Sequence, residues 1–356
     1  MNEKPRLAIA CFTSFNAAYA NRARILQRTL ADAHPDWTFV AVVVEERSAA
    51  MERVLADFPT KIWYEDLPCG REKRWIFKHN VVEACTAVKG DALCALLQRG
   101  FDAVVYLDPD IAIFHPLHSI GEELLSSSIL LTPHQIHPNK TWDAIKDNEL
   151  TSLMYGVYNL GFVGVRNDIT GQAFASWWSQ QLYQACYEEV DKGIFTDQKW
   201  CDLVPSLFDR VRVLRDPGLN VASWNLSGRV ICFAEDGGIL VNGSPLKFYH
   251  FTKINKEGDA MTDRYAGGRM AVFEIWEWYR STLSVENQKR PSQPEWSLGK
   301  FGNGHPIPFS ARKLFRERRD LYEQFLDPFN VGPNSFWDWL TEHEPQICRP
   351  RGGATA

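Results

Sequence analysis

The sequence predicts an α/β fold with a mainly parallel sheet flanked by helices. Short apolar segments alternate with helix-compatible segments through the first half of the chain, which is the pattern of such sheets. The apolar segments are almost continuously hydrophobic, as expected of strands that are buried on both faces. Beyond about residue 255 the pattern changes. We therefore expect one α/β domain at residues 1–255 and a C-terminal helical and irregular extension, residues 256–356, packed on it.

Individual elements follow from hydrophobic periodicity. Runs of apolar and β-branched residues predict strands, and apolar residues at helical spacing predict helices. Gly90 is a candidate break inside one of these helices. The predicted strands are 7–13, 38–46, 103–114, 128–133, 158–166, 210–214 and 246–251. The predicted helices are 16–33, 79–100, 168–189, 196–208, 270–285 and 310–325.

Composition narrows the classes of function. The chain is 45% hydrophobic and 23% charged, and its net charge of −5 gives no reason to expect nucleic acid as a partner. The eight cysteines are scattered without a CxxC, which favours reduced core thiols over disulfides or a zinc site. No apolar run is long enough to span a membrane, and the first residues lack the pattern of a secretory signal. A cytoplasmic location is the resulting expectation.

The predicted strand at 103–114, AVVYLDPDIAIF, carries two carboxylates on either side of a proline. Side chains alternate along an extended chain, so Asp108 and Asp110 are expected to project in the same direction. Pro109 fixes its own φ angle and keeps Asp108 extended, which stiffens the pair. Two like charges at the end of a buried strand repel each other unless a cation lies between them, which favours a divalent metal. A solvated polar turn is the competing interpretation of DPD.

Further motifs follow in a fixed order: YNLGF at 158–162, DQKW at 197–200, NVASWNL at 220–226 and HF at 250–251. Together with YLDPDI they resemble metal-dependent glycosyltransferases of the GT-A fold. The resemblance is nearest to retaining enzymes of the glycogenin and lipopolysaccharide-galactosyltransferase type and to related bacterial glycosyltransferases. It extends from the first strand to about residue 254. It implies a Rossmann-like GT-A sheet and the transfer of a sugar from a nucleotide-sugar donor.

The resemblance also implies a metal site. In such enzymes the two aspartates and a later histidine hold Mn²⁺ or Mg²⁺ against the diphosphate of the donor, which corresponds here to Asp108, Asp110 and His250. Carboxylate and imidazole ligands favour Mn²⁺ over Ca²⁺. The competing interpretation of His250 is an ordinary histidine at the end of a strand.

Catalytic residues are implied at two motifs. Asn159 and Gly161 occupy the place of a segment that contacts the donor sugar or the acceptor, although a turn at a strand entrance would also explain them. Asp197 and Gln198 match a pair that lies beside the anomeric carbon and the sugar hydroxyls. Helix capping, with Thr196 as the N-cap, is the alternative for this second pair.

Nucleotide-binding residues are implied by position. Phe12 and Thr13 end the first predicted strand, where uracil and ribose lie in relatives, and Tyr19 could stack on the base or pack in the core. Lys89 resembles a basic residue near the diphosphate or the sugar, with a solvated lysine as the alternative. The diphosphate-gripping lysine of the family corresponds by spacing to Lys256. The segment HFTKINKEG lacks the glycine and the Pro-Trp of the family pattern, so Lys253 also remains a candidate.

The proposed reaction is transfer from a UDP-sugar to a hydroxyl of a glycan or lipid-linked glycan, as in bacterial surface polysaccharide synthesis. If it is retaining, Asp197 or Gln198 stabilises an oxocarbenium-like state and the departing phosphate takes the acceptor proton. If it is inverting, a carboxylate must act as base, and the candidates are Asp143, Asp147 and Glu149.

Competing functions are an inactive GT-A scaffold or nucleotide-sugar-binding protein, and a nucleotidyltransferase. The nucleotidyltransferase is disfavoured because CFTSFNAAY contains no glycine with which to form a phosphate loop. A zinc site at His134 and His137 is a weak further possibility, since no third ligand is near in sequence.

The predicted helix 310–325 is basic. It could contact an anionic membrane surface, at the inner face of the membrane, or a lipid-diphosphate acceptor. A solvated helix face, interleaved with Glu317 and Asp320, is the favoured interpretation. The basic residues are Arg312, Lys313, Arg316, Arg318 and Arg319.

Overall fold

The computed structural model describes residues 7–290 and 295–348. The strands within these ranges are β1 Ile9–Phe15, β2 Thr38–Val43, β3 Lys61–Trp63, β4 Ala103–Leu107, β5 Ile111–Ile113, β6 Ile129–Pro133, β7 Tyr158–Arg166, β8 Glu188–Glu189, β9 Ile194–Phe195, β10 Val211–Val213, β11 Ile231–Phe233, β12 Ile239–Val241, β13 Ser244–Pro245 and β14 Phe248–His250.

The α-helices are α1 Ala20–Ala33, α2 Ala49–Val54, α3 Lys73–Phe77, α4 Val81–Ala87, α5 Lys89–Gln98, α6 His118–Leu124, α7 Trp142–Ala144, α8 Thr151–Tyr155, α9 Ile169–Gln184, α10 Val204–Leu207, α11 Glu257–Ala266, α12 Met270–Lys289, α13 Phe309–Glu317, α14 Arg319–Gln324, α15 Phe336–His343 and α16 Pro345–Cys348. A π-helical segment, Ile145–Leu150, joins α7 to α8. Short 3-10 helices lie at Ala17–Tyr19, Tyr64–Asp66, Pro68–Arg71, Val190–Lys192, Lys199–Leu203, Ser223–Asn225 and Ser297–Gly299.

A seven-stranded sheet forms the centre of the fold, in the order β10–β6–β7–β4–β1–β2–β3. β1 pairs in parallel with β2 and β4, β2 with β3, and β6 with β10. β7 is antiparallel to both of its neighbours, β4 and β6. Most pairings are therefore parallel, and the predicted fold class is confirmed.

Both faces of this sheet are covered, because alternate residues of each central strand enter different cores. Phe12 of β1 and Tyr106 of β4 belong to the core that includes α5 and α9. Cys11 and Val105 belong to the core that includes α1 and α6. This arrangement explains why the sequences of these strands are almost continuously hydrophobic.

The predicted strand 103–114 is two strands. β4 ends at Leu107, and β5 begins at Ile111 and pairs with β14 instead of with the central sheet. Residues 108–110 form the turn between them, and Ile111 N donates to Asp108 O at 3.1 Å. The DPD sequence is thus a turn, but a buried one that keeps its two carboxylates on the same side, as described below.

The predicted helix 79–100 breaks, although not at Gly90. The chain passes from α4 to α5 through Val88, and Gly90 lies inside α5. A Cβ atom at Gly90 would lie 2.4 Å from Ser179 Cα in α9, so the glycine permits close contact between these two helices. The interpretation of Gly90 as a helix break is therefore wrong, because the sequence pattern could not reveal this contact.

Two other boundaries differ from the prediction. β1 continues to Phe15, so Phe12 and Thr13 lie within the strand rather than at its end. The predicted helix 196–208 begins only at Lys199 and is a 3-10 helix followed by the single turn of α10. Thr196 has a φ of 42° and caps nothing, and the N-cap position belongs to Gln198 without a side-chain bond.

The C-terminal region is helical, as predicted, and packs closely on the rest of the chain. In α12, Trp276 Nε1 donates to Tyr249 Oη of β14 at 2.9 Å, and Tyr279 stacks on Phe251 with ring centroids 3.9 Å apart. Farther along, α13 and α15 pack around Phe77 at the end of α3. The division of the chain at residue 255 stays a prediction.

The interpretation of 310–325 as a solvated basic face is wrong for its two central arginines. Arg312 is buried and donates to Phe77 O at 2.8 Å and His79 O at 2.9 Å. Arg316 forms ion pairs with Glu83 at 3.1 Å and Glu189 at 2.6 Å. The two arginines can be buried because backbone carbonyl and carboxylate oxygens of other elements bind their guanidinium groups. The number of charged residues in the sequence does not reveal these partners. Contact with a membrane stays a prediction for the remaining basic residues, Lys313, Arg318 and Arg319.

Two composition-based expectations can be compared with the structure. All eight cysteines are free thiols, and most are buried or partly buried. Within 7–290 and 295–348, no helix combines the length and the apolarity needed to cross a bilayer.

Replacing Arg316 by alanine is expected to destabilise the fold by about 3 kcal/mol or more, because the buried carboxylate of Glu83 would lose its cation and Glu189 would keep only the half-exposed Lys192. Arg319→Ala is the matched control, since it removes an exposed arginine that pairs with Glu323 on the same segment. It should leave the free energy of unfolding unchanged. Urea denaturation followed by circular dichroism measures both variants, and equal midpoints would contradict the role assigned to Arg316.

Candidate functional site

Two carboxylates and an imidazole meet beyond the end of β4. The ligand atoms of Asp108, Asp110 and His250 all lie within 4.8 Å of one another. His250 Nε2 is 3.0 Å from Asp110 Oδ1 and 3.5 Å from Asp108 Oδ2. In the described part of the chain, this is the one such group of three metal-ligating side chains.

Strand pairing brings these residues together. β14 runs antiparallel to β5 with His250 opposite Ile111, the residue after Asp110. Phe251 N donates to Asp110 O at 2.9 Å, and Asp108 N donates to Gly161 O of β7 at 2.9 Å. The backbone of the DPD turn is therefore held from both sides, and its carboxylates point toward the imidazole.

The electrostatics of this group favour charged side chains. Burial alone would raise the pKa of Asp110, but His250 lowers it below its usual range. Burial alone would lower the pKa of His250, but Asp110 and Asp108 raise it. The side chains thus hold an excess of negative charge around one nitrogen donor, and this donor set suits Mn²⁺ or Mg²⁺.

The close approach of the His250 ring requires a glycine at position 161. A Cβ atom at this position would lie 2.6 Å from His250 Cε1 and 2.7 Å from its Nδ1, closer than atoms can pack. Gly161 N also donates to Asn159 Oδ1 at 3.0 Å. The motif YNLGF lies within strand β7, so its interpretation as a turn at a strand entrance is wrong.

Lys89 connects Asp197 to the set of Asp108, Asp110 and His250, which we call the metal-ligand group. Its Nζ lies 2.7 Å from Asp197 Oδ2 and 3.4 Å from Asp108 Oδ1, and it donates to Leu160 O at 3.2 Å. Only 2% of the residue is exposed, so the alternative of a solvated lysine is wrong. Burial alone would lower the pKa of Lys89, but Asp108 and Asp197 raise it well above its usual range.

Asp197 faces this lysine instead of a helix N-terminus. Thr196 Oγ1 donates to Asp197 Oδ1 at 3.1 Å, while Lys89 occupies the other oxygen. Burial raises the pKa of Asp197, and Lys89 opposes that effect. Because both carboxylate oxygens are engaged, the helix-capping alternative is wrong for this residue.

Asn159 and Gln198 lie side by side. Gln198 Oε1 accepts from Leu160 N at 3.2 Å and is 3.5 Å from Asn159 Nδ2, and its Nε2 donates to Tyr155 O at 3.0 Å. Asn159 Oδ1 also accepts from Asn220 Nδ2 at 3.0 Å. The structure therefore places all four predicted sugar-site residues, including Gly161 and Asp197, around the metal-ligand group.

The residues predicted to bind the nucleotide are placed less uniformly. Phe12 is fully buried and packs edge-on against Tyr106, so its side chain is not accessible to a base. Thr13 is also buried. Tyr19 is partly exposed beneath the Arg22 guanidinium, 4.4 Å from the ring centroid, and is not a core residue. Partial burial and the charge of Asp110 raise the pKa of Tyr19.

Of the two lysines that follow His250, Lys253 lines a cavity and Lys256 is the exposed N-cap of α11. The cavity has a volume of about 790 Å³ and adjoins Asn159 and Gln198. Trp224, also in its wall, stands edge-on to His250 with ring centroids 5.2 Å apart. The cavity therefore reaches the neighbourhood of the metal-ligand group. Spacing favoured Lys256, whereas the fold brings Lys253 to the cavity.

Several site residues were not predicted from the sequence. Tyr106 Oη donates to Asp108 Oδ1 at 2.5 Å and is 3.3 Å from Ser14 Oγ. Asn220 and Trp224 belong to the quoted motif NVASWNL, but no role was assigned to them. Tyr106 could have been found, because it precedes Asp108 by two residues and so shares its direction.

His134 belongs to the site without being a zinc ligand. Its Nε2 lies 3.1 Å from Asn159 Nδ2, and its ring packs against Trp224 at 5.7 Å. Burial lowers the pKa of His134 to about 4. Neither His134 nor His137 belongs to a metal-ligating group of three within the described residues, so the zinc interpretation gains no support.

Gly161→Ala is expected to weaken Mn²⁺ binding at least about tenfold, because the new methyl group displaces His250. Isothermal titration calorimetry measures the affinity. The matched control is Gly164→Ala on the same strand, where a Cβ would lie 3.3 Å from Leu130 side-chain atoms in the core. An equal loss of affinity in both variants would show that the effect is general to β7.

Tyr106→Phe is expected to weaken Mn²⁺ binding by about 10- to 100-fold, because Asp108 loses the hydrogen bond that orients it. Tyr249→Phe is the control, since Tyr249 is equally buried and its hydroxyl bonds to Trp276 and Thr262 and not to a carboxylate of the site. Calorimetry and the electron paramagnetic resonance spectrum of Mn²⁺ follow binding. Unchanged affinity in Tyr106→Phe would remove Tyr106 from the site.

Comparisons with known proteins find relatives that match part of the sequence and solved structures with TM-scores below 0.5. No protein-family model matches the chain. The protein YfnF of Bacillus subtilis (strain 168), described as uncharacterized, is 29% identical over 173 residues, which is 48% of this chain and 56% of YfnF. YfnD of the same organism, also described as uncharacterized, is 30% identical over 176 residues, 48% of this chain and 53% of YfnD. The matches thus span about half the length of these curated relatives.

Similar solved structures include galactosyltransferase LgtC in complex with donor and acceptor sugar analogs, with a TM-score of 0.46 and 14% identity over 81% of this chain and 98% of that chain. Mouse xyloside xylosyltransferase 1 has a TM-score of 0.39 and 14% identity over 70% and 98% of the two chains. The glycosyltransferase GlyE of Streptococcus pneumoniae TIGR4 has a TM-score of 0.42 and 12% identity over 83% and 67%. All three are glycosyltransferases, the class that the sequence motifs resemble.

Proposed function

We propose that this protein is a metal-dependent glycosyltransferase that moves a sugar from a nucleotide-sugar, a UDP-sugar, to a hydroxyl of a glycan or glycolipid. The observation that carries the proposal is the buried group of Asp108, Asp110 and His250, joined through Lys89 to Asp197. Such a group combines a cation site with a further carboxylate, that of Asp197, a few ångströms away. A structural ion-pair network would not need three carboxylates for two basic side chains.

The charge balance supports a cation as the missing partner. Three buried or half-buried carboxylates, Asp108, Asp110 and Asp197, face one lysine and one histidine. Mn²⁺ or Mg²⁺ bound by Asp108, Asp110 and His250 would neutralise the charge on a departing nucleoside diphosphate. Tyr106 and Lys89 hold Asp108 Oδ1, so Asp108 Oδ2, which lies 3.5 Å from His250 Nε2, is the oxygen left to face the proposed ion.

In the proposed reaction, the bond between C1 of the donor sugar and the diphosphate oxygen breaks. The oxygen of the acceptor hydroxyl forms the new bond to C1, and its proton leaves with the nucleoside diphosphate. Asp197 is proposed to stabilise, through its negative charge, the positive charge that develops at the sugar ring. Lys89 keeps that carboxylate ionised and fixed, and Gln198 and Asn159 position the sugar hydroxyls.

A retaining outcome is supported by the fate of the three candidate bases. Asp147 accepts from both Arg264 and Tyr265, and Glu149 accepts from Asn139 N at 2.5 Å. Asp143 is exposed in α7. An inverting enzyme needs an available carboxylate beside the acceptor, and each of these is otherwise engaged or faces solvent.

Donor and acceptor classes are proposed from the resemblance and from the cavity. Tyr19 and the backbone of β1 at Phe12 and Thr13 are proposed to face the base and ribose, and Lys253, or Lys256, the diphosphate. The acceptor is proposed to be a glycan of bacterial surface polysaccharide that enters the cavity beside Gln198. A cytoplasmic location stays an expectation from the sequence.

The alternative, a GT-A scaffold that binds a nucleotide-sugar without turnover, has the same site. It differs in one measurable property, since it would bind the nucleotide with metal but release no product. No residue of the proposed catalytic group is missing, which favours turnover.

Metal-dependent nucleotide release tests the proposal. Wild type is incubated with UDP-, GDP- and dTDP-sugars, with Mn²⁺ or with EDTA, and the free nucleotide is measured. One donor should be hydrolysed slowly even without acceptor, EDTA should abolish the release, and Asp110→Asn should lower it by at least about 100-fold. Asp209→Asn, an exposed aspartate far from the group in sequence, is the matched control.

Two results would contradict the proposal in different ways. Metal-dependent binding of a nucleotide in calorimetry without release from any donor, with acceptors present, would favour the scaffold. If Mn²⁺ also failed to promote nucleotide binding, the carboxylate–histidine group would have only a structural role.

A further inference from the structure

One wall of the cavity is a helix with inverted polarity. The π-helical segment Ile145–Leu150 and α8 present polar side chains to the cavity: Lys146, Asp147, Asn148, Thr151 and Ser152. Their large aliphatic side chains, Leu150, Leu153 and Met154, are instead exposed to solvent. A helix on the surface of a globular protein normally buries its apolar face and exposes its polar face. The inversion calls for something other than water on the outer side.

The exposed apolar surface continues onto a neighbouring element. Val157 N donates to Asp202 Oδ1 at 2.7 Å, and Lys199 Nζ donates to Leu153 O at 2.8 Å. These bonds align the segment 199–207 with α8 and add further exposed leucines. We call this surface the apolar rim, and its residues, each between 40% and 65% exposed, are Leu150, Leu153, Met154, Val157, Leu203 and Leu207.

Resting on the proposed transferase function, we propose that the apolar rim docks on a lipid surface. The acceptor is then a lipid-linked sugar, whose sugar enters the cavity while its lipid stays in the membrane. The two faces of one short helix would thus contact the two parts of one amphipathic acceptor.

The chemistry of the rim favours lipid over protein. Its six side chains are leucine, methionine and valine, and none is the tyrosine or arginine that is enriched among the dominant residues of protein interfaces. Lys199, beside the rim, pairs with Asp202 at 2.9 Å. At the start of the same helical stretch, Trp142 is exposed, and an indole suits the boundary between headgroups and acyl chains. A contiguous apolar surface of this kind marks an interaction site.

The chemistry of the cavity favours a sugar. Asn148, Ser152 and Gln135 offer amide and hydroxyl groups, and Trp224 and Tyr155 offer aromatic rings. Gln198, proposed to position the donor sugar, lines the same cavity. A sugar in the cavity is therefore close to the proposed reaction centre and only the thickness of one helix from the rim.

Vesicle flotation tests the rim. Full-length wild type and the double variant Leu153→Asp/Met154→Asp are mixed with vesicles of phosphatidylcholine, whose neutral surface does not attract the exposed lysines and arginines of 310–325. Wild type should float with the vesicles, and the variant should partition at least about tenfold less, a ratio expected from removing a few methylene groups from lipid. Ile169→Asp, which makes the same kind of change at one exposed apolar residue outside the rim, should float as wild type does.

A second variant, Leu203→Asp/Leu207→Asp, covers the case in which the first does not fold, and should also float at least tenfold less. Wild type that stays in solution, or rim variants that float as wild type does, would overturn the proposal. So would light scattering that shows wild type as a dimer and the rim variants as monomers, because the rim would then be an interface between copies.

Nucleotide release from the donor, measured on the same proteins, separates this proposal from the transferase function. Rim variants should release nucleotide at the wild-type rate, because the rim does not touch the metal-ligand group. Normal flotation without any nucleotide release would refute the transferase and with it the lipid-linked acceptor. Normal release without flotation would refute the rim alone.

Discussion

The buried ammonium group of Lys89 is the interaction on which the site depends. It lies between Asp108, which follows β4, and Asp197, which precedes the 3-10 helix Lys199–Leu203, and it also binds the β7 carbonyl of Leu160. Without it, two carboxylates would face each other in a buried setting, and the free-energy cost would be several kcal/mol. α5 supplies Lys89 at its first residue, and Gly90 beside it allows that helix to approach α9. The packing of two helices thus sets the position of one charge.

A second constraint is the shared space of Gly161 and His250. Two sheets meet here, the seven-stranded central sheet through β7 and the two-stranded β5–β14 sheet. His250 comes from the latter and lies directly against the backbone of the former, so the glycine, the histidine and the DPD turn form one mechanical unit. Metal ligands that belong to different sheets are held at fixed separation only if the contact between the sheets is rigid. Trp224 and Asn220 complete that contact from the segment that precedes β11.

The cavity connects the metal-ligand group to the outer surface of the protein. Its inner end consists of Asn159 and Gln198, which contact each other, and Trp224, whose ring packs edge-on against His250. Its outer wall is the helix with inverted polarity, which separates polar cavity from apolar rim. A reaction centre deep in the fold and a lipid-facing surface would then be joined by a single layer of secondary structure. That layer includes a π-helical segment, which is a common feature of functional sites.

The sequence by itself determined the fold class, because nearly continuous apolar strands alternating with helices can be satisfied only by a sheet covered on both faces. It also predicted that Asp108 and Asp110 face the same side, although the turn at 108–110 and its backbone bonds to Gly161 and Phe251 produce this arrangement instead of an extended chain. Tertiary structure alone decided which distant residues complete the site. Lys89 was a candidate from the resemblance, but only the fold shows that its ammonium group lies between Asp108 and Asp197, and only the fold shows that Lys253 lines the cavity. Likewise, Arg312 and Arg316 look like surface charges in a basic helix, and only the carbonyl and carboxylate oxygens around them, most of which come from residues more than 100 positions away, explain their burial. Periodicity reports which face of an element is buried, but it carries no information on which partner is buried against it.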